Sequence, residues 1–179
     1  MLEQKNTALL VVDVQQRLWA AMHQKDELER NVVRMVKGSQ ILGLPVLWTE
    51  QNPKGLGPTL PPVAELLHDS EPVIKLSFSC CGEPLFLTKL QSLDRKQILV
   101  TGIEAHVCVY QTVADLLQMD YEVQVIADAV ASRTPQNRDI GLERCRELGA
   151  IITSTETVLF ELLRKAEGDA FKQMLNVVK

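Results

Sequence analysis

Six short apolar runs recur along the chain, and most of them are rich in the β-branched residues valine and isoleucine. They occupy residues 8–12, 45–48, 72–74, 97–100, 123–126 and 150–152. The apolar residues in these runs are mostly continuous rather than alternating with polar ones, which is typical of strands that are buried on both faces. Such runs restrict the chain to folds in which helices cover both sides of a sheet.

Amphipathic stretches with helical spacing separate these runs. They occupy residues 28–42, 83–93, 109–119, 137–148 and 155–163. Strands that alternate with helices favour right-handed crossovers and a parallel sheet. We therefore predict an α/β fold with three layers (α/β/α) and a six-stranded parallel sheet. The 179 residues fit a single domain, residues 1–179, with a sizeable core.

The composition excludes several classes of partner. The net charge of −4 leaves no basic excess to hold a phosphate backbone, so we predict no nucleic-acid partner. No segment reaches the ~18 consecutive apolar residues of a membrane helix, so we predict no membrane partner. The polar N-terminus leads into an apolar run that ends at Asp13 rather than at a cleavage site, so we expect a cytoplasmic protein.

Cysteines and histidines give no pattern of a metal or disulfide site. The four cysteines are Cys80, Cys81, Cys108 and Cys145. They lack C-x-x-C spacing, and the chain lacks the secreted context of a disulfide framework. No pair of histidines has the spacing of metal ligands on a helix or strand. We expect no metal and no cofactor.

Two charged residues follow apolar runs at the predicted carboxyl edge of the sheet, where open α/β sheets bind ligands. Asp13 follows five apolar residues, and a carboxylate at that depth is costly unless it is paired. It could be a catalytic group or the N-cap of the next helix. Lys75 ends the third run, and it could be a surface lysine with an apolar stem. The presence of Asp13 at the same edge favours pairing of the two.

Cys108 lies in residues 101–109, a pattern of strand, tight turn and helix start. The first turn of a helix offers a positive dipole and free N–H groups, which would lower a thiol pKa and could hold an oxyanion. Cys145 lies in a helical pattern and is expected to pack. His106 is two residues from Cys108, so the two would not face each other on a helix. We interpret His106 as a substrate contact or turn residue, not as the base.

A loop rich in proline and glycine, residues 51–62, follows the second run, and it is predicted to cover a site. Candidate pocket residues, each of which could equally belong to the core or to a subunit interface, are Trp19, Trp48, Gln51, Phe78 and His106. The C-terminal segment is apolar enough to dock either on the body of the chain or on another subunit.

Three segments together resemble the isochorismatase-like (cysteine) hydrolases: residues 8–15 (ALLVVDVQ), 75–79 (KLSFS) and 100–109 (VTGIEAHVCV). Residues 48–57 (WTEQNPKGLG) look like the isochorismatase-domain subgroup. The resemblance covers nearly the whole chain. It implies a Rossmann-like sheet between two helical layers, for which we expect the strand order 3-2-1-4-5-6. That order places Lys75 two strands from Asp13, so the spacing alone does not establish their contact.

The same resemblance implies a catalytic triad of Asp13, Lys75 and Cys108. It also implies a non-proline cis peptide between Ile103 and Glu104, which would direct the N–H of Glu104, with that of Cys108, towards a developing oxyanion. A homo-oligomer and a small-molecule substrate are further implications. Nicotinamidases of this family have a metal site after the second strand, but residues 50–53 (EQNP) contain no histidine here, which disfavours that activity.

Three functions stay open at this point. The first is hydrolysis of a small amide or related acyl compound through a thioester on Cys108, which the presence of the cysteine favours. The second is metal-free hydrolysis of a vinyl ether, as in isochorismatases, where protonation by the aspartate replaces the thiol chemistry. The third is a catalytically silent or redox-sensing protein that kept the fold and a reactive thiol.

Overall fold

The computed structural model describes all residues from Met1 to Lys179, and a six-stranded parallel sheet forms its centre. The strands are β1 (Thr7–Val12), β2 (Val46–Gln51), β3 (Val73–Lys75), β4 (Gln97–Ile103), β5 (Glu122–Ala131) and β6 (Ile151–Thr153). Their order is β3-β2-β1-β4-β5-β6, and every neighbouring pair is parallel. The predicted fold class and strand order are confirmed.

Nine α-helices connect and follow the strands. They are α1 (Gln16–Ala20), α2 (Lys25–Ile41), α3 (Pro53–Leu56), α4 (Pro61–Ala64), α5 (Pro84–Ser92), α6 (Tyr110–Gln118), α7 (Pro135–Glu147), α8 (Thr155–Leu163) and α9 (Gly168–Val178). Thr134 and Ser154 cap α7 and α8, because their hydroxyls accept N–H groups of the first turn. A π-helical turn, Ala105–Val109, precedes α6. None of these helices has the length and apolar character needed to cross a membrane.

Alternate residues of β1 pack in two separate parts of the core, one on each face of the sheet. Leu9 and Val11 pack in the layer that contains α2, α8 and α9, whereas Leu10 packs in the layer that contains α5, α6 and α7. All six residues of β1 are buried, as expected for a central strand covered on both faces. Helix α9 contacts α2 and α8, and its Met174 is fully buried. The C-terminal segment therefore docks on the body of its own chain.

Gly102 allows β4 to pass very close to the end of β1. Its φ is +118°, and a Cβ at this position would lie 2.0 Å from the carbonyl oxygen of Val12. A side chain would therefore collide with the backbone next to Asp13, at the place where the two strands end. The absence of a side chain at Gly102 brings the turn that carries Cys108 beside the strand that carries Asp13.

Replacing Gly102 by alanine is expected to destabilise the protein through this collision. Gly149 is a matched control, because its φ is +106° and a Cβ there would meet nothing within 4 Å. Gly149→Ala carries only the backbone penalty, of order 1–3 kcal/mol. Gly102→Ala should lose about 2 kcal/mol more than the control in urea unfolding. Equal losses for the two variants would show that the close approach of β1 and β4 is unimportant.

Candidate active site

Asp13 leaves β1 with a left-handed backbone (φ +52°), and its carboxylate is fully buried. Oδ1 accepts a hydrogen bond from Thr49 Oγ1 at 2.7 Å, and Oδ2 lies 2.6 Å from Lys75 Nζ. Helix α1 begins after Gln15, without a side-chain cap. The interpretation of Asp13 as a helix N-cap is therefore wrong, because its partners are Thr49 and Lys75.

Lys75 reaches Asp13 across the intervening strand β2. Strands lie about 4.8 Å apart, so the Lys75 and Asp13 side chains have to extend towards each other across β2. The ammonium group donates to Gln51 Oε1 at 2.7 Å, to the carbonyl of Phe78 at 2.9 Å and to the carbonyl of Ser77 at 3.1 Å. The side chain is fully buried, so the interpretation of Lys75 as a surface lysine is also wrong.

Burial and mutual attraction set the protonation of this ion pair. Burial raises the pKa of Asp13 above its ordinary value, and the nearby Lys75 charge only partly opposes this. Burial also acts against the charge of Lys75, but attraction by Asp13 and the neighbouring thiols raises its pKa overall. Lys75 therefore stays an ammonium, while Asp13 is a stronger base than an exposed aspartate.

Cys108 lies in the π-helical turn with only 6% of its surface exposed, and its thiol is close enough to Asp13 and Lys75 for their charges to shift its pKa. Burial raises the pKa of the Cys108 thiol to about 12; the Asp13 charge adds to this effect, and Lys75 opposes it. The predicted lowering of the thiol pKa is therefore wrong, because loss of hydration and the Asp13 charge outweigh the Lys75 ammonium. The resting group is a thiol, which needs a base.

The end of β4 is linked to the end of β5 beside Cys108. The peptide bond between Ile103 and Glu104 is cis. The Glu104 carboxylate accepts from both the backbone N–H and the side-chain Nε of Arg133, at 3.1 Å each. The His106 ring Nδ1 lies 3.0 Å from Ser132 Oγ. The polar partner of His106 is thus Ser132, which agrees with its interpretation as something other than the base.

The predicted pocket residues fall in different places. Trp48 packs in the core on the α2 side and donates from Nε1 to Ser70 Oγ at 3.0 Å. Trp19 packs on that same side, whereas Cys108 belongs to the opposite layer. The structure therefore does not bring the two tryptophans to the triad. The Gln51 side chain accepts a hydrogen bond from Lys75, whereas Phe78 accepts one only through its backbone carbonyl.

Three residues of the site were not predicted from the sequence, namely Thr49, Cys80 and Gln15. Thr49 lies two residues before Gln51 on β2, so both side chains face Asp13 and Lys75, while Trp48 faces away. Cys80 is fully buried with Sγ 3.8 Å from Thr49 Oγ1, and burial raises the pKa of its thiol to about 12. Gln15 fastens residues 51–57 to the end of β1, because its amide bonds to the backbone of Gln51 and Gly57. Strand alternation could have found Thr49, but no sequence signal points to Gln15.

The site itself is nearly closed. Asp13 and Lys75 are buried, and only Cys108 retains a little exposed surface. Five surface cavities lie elsewhere and are lined by other residues. No group of three or more His, Cys, Asp or Glu side chains is arranged to hold a metal ion.

Comparison with known proteins identifies the family of the chain. The family model of the isochorismatase domain matches residues 7–157. The chain belongs to the isochorismatase family of hydrolases. An isochorismatase domain-containing protein 2 from Danio rerio is 37% identical over 173 residues, covering 97% of this chain and 87% of that protein.

Two solved structures superimpose on nearly the whole chain. A MAR1 ribonuclease from Caenorhabditis elegans is 33% identical, with a TM-score of 0.92, and the alignment covers 99% of this chain and 91% of that one. YcaC from Pseudomonas aeruginosa, solved with hexane-2,5-diol and covalent acrylamide, is 25% identical with a TM-score of 0.92, covering 98% and 90%.

Removing the ammonium should leave a buried carboxylate without a partner. Lys75→Met is expected to lower the free energy of unfolding by about 3–5 kcal/mol at neutral pH. The pKa of Asp13 in the folded variant rises further, so the folded state holds a proton that the unfolded state releases. The loss should therefore be small in acid and should grow as pH rises from the ordinary aspartate pKa through the raised one.

Urea unfolding of Lys75→Met across this pH range measures the effect. The double variant Lys75→Met/Asp13→Asn is the control, because it removes both charges and should recover most of the stability at neutral pH. A Lys75→Met loss that does not depend on pH would contradict the buried ion pair.

Proposed function

We propose that this chain is a cysteine hydrolase that cleaves a small-molecule amide or related acyl compound with the triad Asp13, Lys75 and Cys108. The observation that carries the proposal is a buried ion pair, in which the carboxylate and the ammonium both have a raised pKa, close enough to a buried thiol to shift its pKa as well. A thiol that is protonated at rest needs a neighbouring base, and Asp13 has the raised basicity for that role.

Acylation begins when Asp13 takes the thiol proton of Cys108. The thiolate, stabilised by the Lys75 ammonium, attacks the carbonyl carbon, and the carbonyl electrons move to oxygen. The N–H groups of Glu104 and Cys108 are the proposed donors to this oxyanion. Asp13 then gives its proton to the departing nitrogen, so the C–N bond breaks, the oxyanion closes to a carbonyl and the amine leaves.

Hydrolysis of the resulting thioester reuses the same base. Asp13 accepts a proton from water as the water oxygen attacks the thioester carbon. Collapse of the tetrahedral intermediate breaks the C–S bond, and the sulfur recovers the proton from Asp13. One amide and one water give one carboxylic acid and one amine, and the triad returns to its resting protonation.

The closed site favours a small substrate over a polymer. Only Cys108 has exposed surface, and little of it, so a compact acyl group fits this entrance better than a chain that must lie across it. One solved relative is a ribonuclease, but with a net charge of −4 this chain has no overall basic excess to hold RNA phosphates. RNA is therefore the poorer candidate substrate.

The other two functions are less well supported. Redox-sensing thiols have a low pKa and are accessible, whereas burial raises the pKa of Cys108 to about 12. Vinyl-ether hydrolysis would need Asp13 as an acid, but the Cys108 thiol would take no part in it. The contact between Asp13 and the Cys108 thiol therefore favours acyl chemistry.

Loss of the nucleophile should abolish amide hydrolysis. In a screen of small aliphatic amides and hydroxamates, we expect Cys108→Ala to lower kcat/KM by about 10³-fold or more for any compound that the wild-type protein cleaves. Cys145→Ala is the matched control, because Cys145 is a buried thiol within α7. It should keep activity near the wild-type value.

Unchanged amide hydrolysis by Cys108→Ala would refute the proposal. Turnover of isochorismate that survives in Cys108→Ala would instead support the vinyl-ether alternative.

We also propose that the chain forms a homo-oligomer through the outer face of its edge strand. Exposed apolar side chains cluster in sequence at and after β3, namely Ile74, Leu76, Phe78 and Leu85. Exposed apolar patches of this kind favour association. Sedimentation should find an oligomer that Leu76→Ser weakens and that Leu148→Ser, an exposed leucine beyond α7, leaves intact. A monomeric wild-type protein would contradict this.

A further inference from the structure

We infer that Thr49 is a positioning residue that holds the Asp13 carboxylate so that Oδ2 is the oxygen that takes the Cys108 proton. The inference rests on the proposed function and extends it to β2, the strand that lies between the two charged members of the triad. Thr49 touches neither the thiol of Cys108 nor the ammonium of Lys75 through any hydrogen bond, so it acts through Asp13 alone.

Thr49 commits its hydroxyl proton to Asp13. The residue is buried, and Oγ1 lies 2.7 Å from Asp13 Oδ1. Its other polar neighbour is Cys80 Sγ at 3.8 Å, and a thiol sulfur is a weak acceptor. A hydroxyl between a carboxylate oxygen and a thiol donates to the carboxylate, because hydrogen bonds to ionised groups are the stronger ones. Oδ1 is therefore occupied.

The second carboxylate oxygen, Oδ2, is paired with the Lys75 ammonium and receives nothing from Thr49. An ammonium has three N–H groups, and Lys75 shares them among Oδ2, Gln51 Oε1 and the carbonyls of Ser77 and Phe78. Lys75 Nζ lies 2.6 Å from Oδ2, and a carboxylate oxygen has two lone pairs, so the ion pair uses only one of them. A lone pair on Oδ2 thus remains available to a proton.

These two facts divide the carboxylate between two tasks. Oδ1 is tied to β2 by Thr49 and fixes the rotation of the carboxylate about its Cβ–Cγ bond. Oδ2 accepts the proton from Cys108 Sγ, which breaks the S–H bond and forms an O–H bond, and it later returns this proton to the leaving nitrogen. The Thr49 proton stays on Oγ1 throughout. Without the hydroxyl, the carboxylate keeps only its contact with Lys75 to hold its rotation, and its charged form loses a hydrogen bond.

The pH dependence of Cys108 alkylation by iodoacetamide tests this role without a known substrate. Thr49→Val removes the hydrogen bond that favours ionised Asp13, so the pKa of Asp13 rises and the base is protonated up to a higher pH. The acid limb is the pH range in which the alkylation rate falls as pH is lowered. We expect it to move up by about one to two pH units, as measured on the Cys108 peptide by mass spectrometry. Thr49→Ser keeps the hydroxyl and should restore the wild-type limb.

Thr101→Val is the matched control. Thr101 is a buried threonine on β4, on the other side of β1, and its hydroxyl donates to the Leu10 carbonyl at 3.3 Å. Its alkylation profile should overlay that of the wild type. Thr49→Ala removes the same hydroxyl and gives a second measurement if Thr49→Val does not fold.

The inference would be overturned if Thr49→Val and Thr49→Ala had the same acid limb as the wild type and Thr101→Val. Failure of the proposed function has a different signature. In that case Asp13→Asn itself would leave the rate and pH profile of Cys108 alkylation unchanged, so that Asp13 is not the base of this thiol.

Discussion

A buried ion pair between Asp13 and Lys75 is the constraint around which the carboxyl edge of the sheet is built. Two unpaired charges at this depth would each cost several kcal/mol, so the fold has to surround both with partners. Thr49 supplies a donor to the carboxylate, while Gln51 and two loop carbonyls accept from the ammonium. Strand β2 contributes to both halves of the pair, which explains how residues two strands apart form one site.

The sheet and most helices follow from local patterns in the sequence. Continuous apolar runs predicted all six strands, and the amphipathic stretch at residues 155–163 matches the bounds of α8. The strand order came from the family resemblance, because parallel strands of similar composition do not encode their own neighbours. The π-helical turn Ala105–Val109 was not predicted, since its residues carry no periodicity that differs from the start of an ordinary helix.

Asp13, Lys75 and Cys108 could be named as candidates from the sequence because parallel strands bring their carboxyl ends to one edge, but their grouping as a triad came from the family resemblance. Their protonation could not be predicted. The helix start suggested a lowered pKa for Cys108, whereas burial, which depends on the packing of α5, α6 and α7 around the turn, raises it to about 12. Trp48 was a candidate for the pocket, the core or a subunit interface, and strand alternation places it in the core, on the face opposite Thr49. A single polar or aromatic residue after a strand does not reveal the face to which it points.

Formation of an acyl-enzyme tests most directly whether Cys108 is a nucleophile that Asp13 activates. The protein would be mixed with 4-nitrophenyl acetate, quenched in acid and digested, and the acetylated peptide identified by mass spectrometry. We predict one hydroxylamine-sensitive acetyl group on Cys108 in the wild-type protein and a strongly reduced amount in Asp13→Asn. Acetyl groups spread over Cys80, Cys81 and Cys145, or the same Cys108 acetylation in Asp13→Asn, would contradict the account.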